Sequence, residues 1–416
     1  MPYNIAMVSD FFYPEPGGVE SHIYQLSQRL IDLGHRVIVI THAYGNRTGI
    51  RYLTNGLKVF YIPFLVIYRQ ATFPTVFSVF PVLRDIVKRE RIQIVHGHAS
   101  MSSLCHEAIL HARTMGLRTC FTDHSLFGFA DVGSILTNKL LKFTMSDVDH
   151  IICVSHTCKE NTVLRAALDP STVSVIPNAV IADNFRPDPS RASKDHLTIV
   201  VISRLFYNKG TDLLVALIPR ICTTHPTARF IIAGAGPKAI DLEQMREKYM
   251  LQDRVEMLGS IRHEEVRDVM TRGQIYLHPS LTEAFGTVIV EAASCGLYVV
   301  CTRVGGVPEV LPSHMTVFAR PEEDDLVAAL TRAIHAIEIK SVSPSTFHSQ
   351  IRKMYSWKNV ALRTEMVYNK VMKMEKVCFA GRLKRYYGCG TWAGKLFCAC
   401  VAVDYLLEAA LGWVMD

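Results

Sequence analysis

The chain has 416 residues, 49% of them hydrophobic, with a formal net charge of +7 and a mean hydropathy of +0.17. That length accommodates two domains with separate cores. The modest positive charge suits anionic substrates or an anionic membrane surface. With no zinc-finger spacing, basic recognition helix or aromatic-basic stripe, the sequence excludes a nucleic-acid binder. Eleven cysteines include no C-x-x-C pair, and Cys153, Cys295 and Cys301 read as buried free thiols. A first strand begins almost at once with no secretory signal ahead of it. A reducing, cytosol-facing compartment is therefore expected, and the sequon at Asn46-Arg47-Thr48 carries no weight.

In chain order, β-branched runs predict strands at 5–9, 36–41, 59–63, 92–96, 119–122, 150–154 and 173–177. Amphipathic stretches at 19–34, 76–89, 102–115, 134–146 and 156–167 predict the intervening helices. Buried runs alternating with helices of this length imply parallel βαβ units. Residues 187–195 are polar and proline-bearing, and read as a linker. The alternation restarts with strands at 197–203, 229–234, 254–258, 275–279, 298–302 and 315–319. The expected architecture is α/β, with two doubly wound domains facing a cleft. Ligands of such sheets sit at the carboxyl ends of the strands. Further on come a helical pattern over 358–376, a basic run from Lys370 to Arg385 and an apolar stretch at 396–414.

The polar motifs fall at those strand ends. Glu283 and Glu291 bracket Gly286 between a strand and a helix start. Free N–H groups there suit an anion, and carboxylates suit hydroxyl groups, a combination that describes a nucleotide sugar. A pair of glutamates eight apart is common on solvated helices, so placement must decide. Arg204 ends one strand and Lys209 precedes the next helix; two cations at one strand end can neutralise a diphosphate leaving group. Gly234 and Gly236 end another strand, where they permit a ligand's approach or simply make a turn. Gly17 and Gly18, in Glu15-Pro16-Gly17-Gly18-Val19-Glu20, offer backbone N–H groups at a helix start, or an ordinary βα turn. A G-x-G-x-x-G dinucleotide fingerprint is absent. His124 follows a strand and can hydrogen-bond a sugar hydroxyl or move a proton. His96 and His98 are lesser candidates, since most of the 17 histidines must be structural. Asp147-Val148-Asp149 spells a D-x-D but enters a strand at its amino end, and reads as a structural turn. No metal is expected.

Together these residues resemble the retaining GT-B glycosyltransferases of family 4, and most closely the catalytic subunits of the glycosylphosphatidylinositol N-acetylglucosaminyltransferases. The resemblance covers residues 7–376, with its most specific stretches at 17–26, 41–47, 121–131, 159–168 and 302–311. It implies transfer of N-acetylglucosamine from UDP-N-acetylglucosamine to phosphatidylinositol, with retention, as the first step of GPI-anchor biosynthesis. The setting would be the cytosolic face of the endoplasmic reticulum membrane, with membrane-embedded subunits of a transferase complex as partners and no cofactor. Glu283 would then contact the donor sugar and Glu291 the ribose. Arg204 and Lys209 would bind the diphosphate, while Phe285, Gly286 and Thr287 meet sugar and phosphates through their backbone. Gly17 and Gly18 would close on the leaving group, and His124 would be the cleft histidine. The domains would be an acceptor-side 1–186, a donor-side 196–355, a crossover helix 356–376 returning to the first domain, and a membrane-associated tail 377–416. Another lipid-directed transferase, such as a phosphatidylinositol mannosyltransferase, and a catalytically silent scaffold subunit remain the alternatives.

The family resemblance implies a spanning helix at the tail. Residues 396–414 are long enough to span, yet Asp404 and Glu408 fall in the middle on one helical face. An aspartate at the centre of a span costs roughly 2.5–3.5 kcal/mol on insertion scales. Spanning, with that face packed on partner subunits, is the expectation, and an interfacial helix is the alternative.

Overall fold

The computed structural model describes residues 2–15, 17–68, 70–75, 77–128 and 132–415; Pro16, Val76 at the start of one predicted helix and 129–131 of one family-like stretch lie outside them. The chain divides into two compact units, Met1–Pro177 with Trp357–Asp416, and Asn178–Ser356.

The first unit is built on an eight-stranded sheet. Its spatial order is Val173–Val175, His150–Cys153, Arg118–Asp123, Ile94–His98, Asn4–Val8, Arg36–His42, Lys58–Ile62 and Gly49–Tyr52. All neighbours are parallel except the last strand, which runs antiparallel at the edge. Chain order reverses between Asn4–Val8 and Ile94–His98, so the switch point of this sheet lies there. The central strands are buried throughout because helices cover both faces, which is why they read as continuous apolar runs.

The second unit has six parallel strands ordered Val255–Gly259, Ala228–Ala233, Leu197–Ile202, Ile275–His278, Tyr298–Thr302 and Thr316–Ala319. In chain order within the unit this is 3-2-1-4-5-6, the doubly wound arrangement whose switch point falls between the first and fourth strands. Arg204 and Lys209 follow the first of these strands, and Glu283 follows the fourth.

Every predicted strand is present to within two residues. The segment 187–195 is not a free linker. Arg191 pairs with Asp268, and Gln274 Nε2 donates to the Ser193 carbonyl at 2.8 Å. Upstream, Ser294 Oγ donates to the Phe185 carbonyl at 2.9 Å. These bonds fasten the segment to the second unit, so the division falls at 177/178.

The helix Trp357–Lys373 belongs to the first unit. It is tied there by Arg363 to the Val175 carbonyl (2.6 Å), Tyr3 Oη to Asn369 Oδ1 (2.7 Å) and Tyr368 Oη to His96 Nδ1 (2.7 Å). Two more helices follow, Phe379–Tyr387 and Ala393–Met415. Their apolar faces meet Ser103–Thr114 in a cluster centred on Leu110, Tyr386 and Val401. The last helix is long and apolar enough to cross a membrane by length and composition.

Candidate functional site

At the switch point of the second unit, two loops are drawn together by backbone contacts. Leu281 N donates to the Asn208 carbonyl at 2.9 Å. Gly210 has φ +74°, and a Cβ there would run into the Pro279 carbonyl. Only glycine suits both the left-handed backbone and the close approach. The result brings Lys209 Nζ to 2.6 Å from Glu283 Oε2, both side chains mostly shielded. Glu283 is held further by its carbonyl, which accepts from Gly306 N at 2.9 Å.

Arg204 sits beside this pair in sequence, exposed, with its guanidinium 6.0 Å from the Phe206 ring centre and no ion-pair partner among the described residues. Of the two cations expected at this strand end, Arg204 has no ion-pair partner among the described residues and Lys209 is engaged by Glu283. Three polar atoms of the strand ends, Ser203 Oγ, His278 Nε2 and Ser280 Oγ, are buried without a hydrogen-bond partner in the described structure. His278 Nε2 lies 3.9 Å from Glu283 Oε1. Burial pushes this imidazole down to about 4, so it is neutral at physiological pH. Sequence reading missed His278, because a strand histidine inside an apolar run carries no local signal.

Gly286, at φ +87°, caps the helix Thr287–Ser294. As at any helix start, the first N–H groups here lack intrahelical acceptors. Phe285 is buried edge-on against Tyr355, with centroids 5.7 Å apart, which anchors the loop. Glu291 stands in the second turn with no ion pair or hydrogen bond among the described residues. Burial pushes its carboxyl up to about 7.

Gly234 and Gly236 pack against the Arg204 loop. Their left-handed φ of +147° and +158° bring them against the Ser203 and Leu205 carbonyls, where a Cβ would collide. Leu205 N also donates to the Ala235 carbonyl at 2.9 Å. On the side where a Cβ would stand, the protein's own backbone fills the space, so both glycines brace the Arg204 loop.

In the first unit, Gly17 and Gly18 begin the helix Gly18–Asp32 near its switch point. Gly17 is extended and crowded by the Glu20 carboxylate, whereas a Cβ on Gly18 would meet nothing within 4 Å. His124 follows the strand Arg118–Asp123 and joins a histidine cluster. His124 Nε2 is 3.3 Å from His98 Nδ1, and its ring packs edge-on against His22 with centroids 4.6 Å apart. Burial holds His98 and His124 well below the ordinary histidine range, each helped by neighbouring histidines. Both are therefore neutral hydrogen-bonding groups. His96 is satisfied on both nitrogens, by Tyr368 and by Thr122 at 2.7 Å, and is structural.

His22, His98 and His124 each bring a ring nitrogen within 4.8 Å of the others, so these imidazoles are a donor set that could hold a divalent ion. The Asp147-Val148-Asp149 carboxylates are differently occupied. Arg113 binds Asp149 at 2.7 and 2.8 Å, and Arg382 Nε binds Asp147 at 2.6 Å. Arg385 adds a contact to Asp147 at 3.5 Å. These carboxylates tie the strand start to the tail.

The chain is similar to known proteins. Residues 42–131 match a family model described as PIGA (GPI anchor biosynthesis), and residues 183–341 one described as glycosyl transferases group 1. The phosphatidylinositol N-acetylglucosaminyltransferase gpi3 subunit of Schizosaccharomyces pombe is 71% identical, over 98% of this chain and 90% of that protein. The corresponding human phosphatidylinositol N-acetylglucosaminyltransferase subunit is 54% identical, over 99% of this chain and 85% of that protein. Among solved structures, sucrose-phosphate synthase from Thermosynechococcus elongatus aligns with a TM-score of 0.73 at 20% identity, covering 89% of this chain and 99% of that one. Anabaena HepE in complex with UDP aligns at 0.70 with 16% identity, covering 88% and 100%. The fold is GT-B-like, with two Rossmann-like sheets.

Proposed function

Since this chain belongs to the PIGA/GPI3 family of phosphatidylinositol N-acetylglucosaminyltransferase subunits, we propose that it is the subunit that transfers N-acetylglucosamine from UDP-N-acetylglucosamine to phosphatidylinositol, with retention, at the endoplasmic reticulum membrane. The single observation that carries a catalytic rather than a scaffolding role is the Lys209–Glu283 pair beside the unpaired Arg204 at the switch point of the second unit. A scaffold has no use for a charged pair held at a strand end by a close approach that only glycine allows and flanked by unpartnered polar atoms.

In this reading the donor binds to the second unit. Arg204 and the N–H groups of the helix Thr287–Ser294 receive the diphosphate, with Lys209 shared between phosphate and Glu283. Glu283 accepts from sugar hydroxyls and Glu291 from the ribose. The bond from the anomeric carbon to the phosphate oxygen breaks as the inositol oxygen attacks the same face. The hydroxyl proton passes to the departing phosphate, and the cations stabilise the charge that develops there. A carboxylate bound to lysine at 2.6 Å is a poor nucleophile, which supports positioning as the role of Glu283. The neutral His124 of the first unit would hydrogen-bond a hydroxyl rather than carry a proton.

The test is to supply membranes containing the chain and its partner subunits with labelled UDP-N-acetylglucosamine and phosphatidylinositol. Labelled glycolipid from the wild type, and about 100-fold less from Glu283→Ala, is expected for loss of a group of this kind. Undiminished product from Glu283→Ala would refute the assignment.

A further inference from the structure

Between the strand Lys58–Ile62 and the helix Phe80–Arg89, the first unit carries a short antiparallel hairpin, Val66–Tyr68 with Ala71–Thr72. Its inner side is bolted to the switch point of the first sheet. Thr72 is buried; its hydroxyl donates to Asp10 Oδ1 at 2.8 Å, and its carbonyl accepts from Ser103 Oγ at 2.7 Å. Asp10 follows the strand Asn4–Val8, and Ser103 follows Ile94–His98. This one threonine is therefore gripped from both sides of the switch. Gln70 Nε2 donates to Glu15 Oε1, in the loop before Gly17, at 3.3 Å, and Thr75 N donates to Glu107 Oε1 at 2.6 Å.

The outer side is apolar. Leu65, Ile67 and Phe73 are 73%, 60% and 54% exposed. Phe73 N donates to the Leu65 carbonyl at 2.7 Å, which sets these two residues side by side across the hairpin. Single exposed apolar residues are ordinary, but three on one small hairpin form a surface for contact with something apolar.

Position selects the occupant. In phosphatidylinositol the inositol is joined to the acyl chains through only a phosphate and a glycerol. A protein that brings this inositol to the switch point must offer an apolar surface close by, because acyl chains left in water are costly. Phe73 is the residue next to Thr72, about 3.8 Å from it along the backbone. The apolar face thus begins one residue from the side chain bonded to Asp10. A protein partner would account for the exposed residues but not for their tie to the strand ends.

We propose that the hairpin receives the acyl chains of the acceptor phospholipid, with Leu65, Ile67 and Phe73 against them, and so positions the inositol at the switch point of the first unit. This rests on the phospholipid acceptor of the proposed function and adds the place where its chains lie.

The test uses the chain with its partner subunits in detergent micelles, and phosphatidylinositol bearing a photoactivatable diazirine on one acyl chain. After irradiation, mass spectrometry is expected to find the label on residues 64–75. Excess phosphatidylinositol should suppress it and phosphatidylcholine should not. Label only elsewhere on the chain, label only on partner subunits, or equal suppression by both lipids overturns the proposal. In the transfer assay, Leu65→Ser with Phe73→Ser should raise the KM for phosphatidylinositol by about tenfold or more. UDP binding and the unfolding temperature should not change, because both side chains are exposed. Leu65→Met with Phe73→Leu should keep the wild-type KM. An unchanged KM in the serine variant overturns the proposal. A wild type labelled on 64–75 that makes no glycolipid faults the transfer assignment and upholds the lipid site.

Discussion

Lys209 Nζ rests 2.6 Å from Glu283 Oε2, so the cation proposed for the diphosphate is already spent on the carboxylate proposed for the sugar. Nucleotide and carboxylate therefore compete for one ammonium. Glu283→Gln is expected to bind UDP as tightly as the wild type or several-fold more tightly, because Lys209 is released to the phosphates. Transfer should nevertheless fall by about 10²-fold. Lys209→Met should weaken UDP binding by about tenfold or more, in line with about 1.5–3 kcal/mol for a charge-assisted hydrogen bond. Calorimetric titration of UDP beside the transfer assay separates the two; equal weakening of UDP binding by both substitutions would contradict the competition.

Gly210 and Gly18 make a contrasting pair. Gly210→Ala puts a methyl group into the Pro279 carbonyl on a left-handed backbone. The backbone strain alone costs about 1–3 kcal/mol, so the unfolding temperature should drop and the Lys209 loop should lose its place. Gly18 is not in that region and faces open space. Gly18→Ala should leave thermal unfolding unchanged while lowering transfer, if a substrate uses that space. A Gly18→Ala enzyme with full activity would remove the loop from the site.

Glu291, proposed for the ribose, is expected to make donor binding pH-dependent. Burial raises its carboxyl to about 7 from an ordinary 4.5. If both of its oxygens accept from ribose hydroxyls, the ionised form is favoured, because a protonated carboxyl turns one oxygen into a donor. Donor binding should then release a proton near neutrality and weaken as pH falls well below 7. The stability sign is opposite to that of a salt-bridged carboxylate. A raised folded value means that the native state takes up the proton first. This group's penalty is therefore present above about 7 and is relieved as pH falls from about 7 toward 4.5. Glu291→Gln should raise the unfolding temperature at pH 8, change it little at pH 5, and abolish the proton release. Calorimetry in buffers of different ionisation enthalpy reads that release directly.

The fold was legible because both sheets are covered on both faces, which writes their strands as uninterrupted runs such as Ile199-Val200-Val201 and Val299-Val300. The edge strand Gly49–Tyr52 is exposed along its length and left no such mark. Glu283, Arg204 and Lys209 were legible as strand-end residues, since a βα junction can be located from periodicity alone. What periodicity cannot give is distance between segments. Nothing local distinguishes His278, held under Glu283, from any other strand histidine, and nothing tells that the approach allowed by Gly234 and Gly236 is that of their own chain. The partners of the tail carboxylates were hidden for the same reason. Asp404 and Glu408 looked like faults in a span until His111 and Arg84 stood opposite them.

The D-x-D gives the clearest separation between a stability role and a metal role. Asp147 and Asp149 are buried among Arg113, Arg118, Arg382 and Arg385, so their lone pairs are spent on guanidinium groups. Removing one partner of such a network leaves an uncompensated buried charge, at a cost of about 3–5 kcal/mol. Arg113→Ala is therefore expected to lower the unfolding temperature sharply. Asp147→Asn should loosen the tail helix Phe379–Tyr387, seen as faster proteolysis there. Neither change should alter the response of transfer to a chelator, because neither carboxylate is available to an ion. If a chelator abolishes transfer, His22, His98 and His124 are the cluster to test, and an ion held there predicts that His98→Ala removes both the bound metal, measured by elemental analysis, and the chelator response.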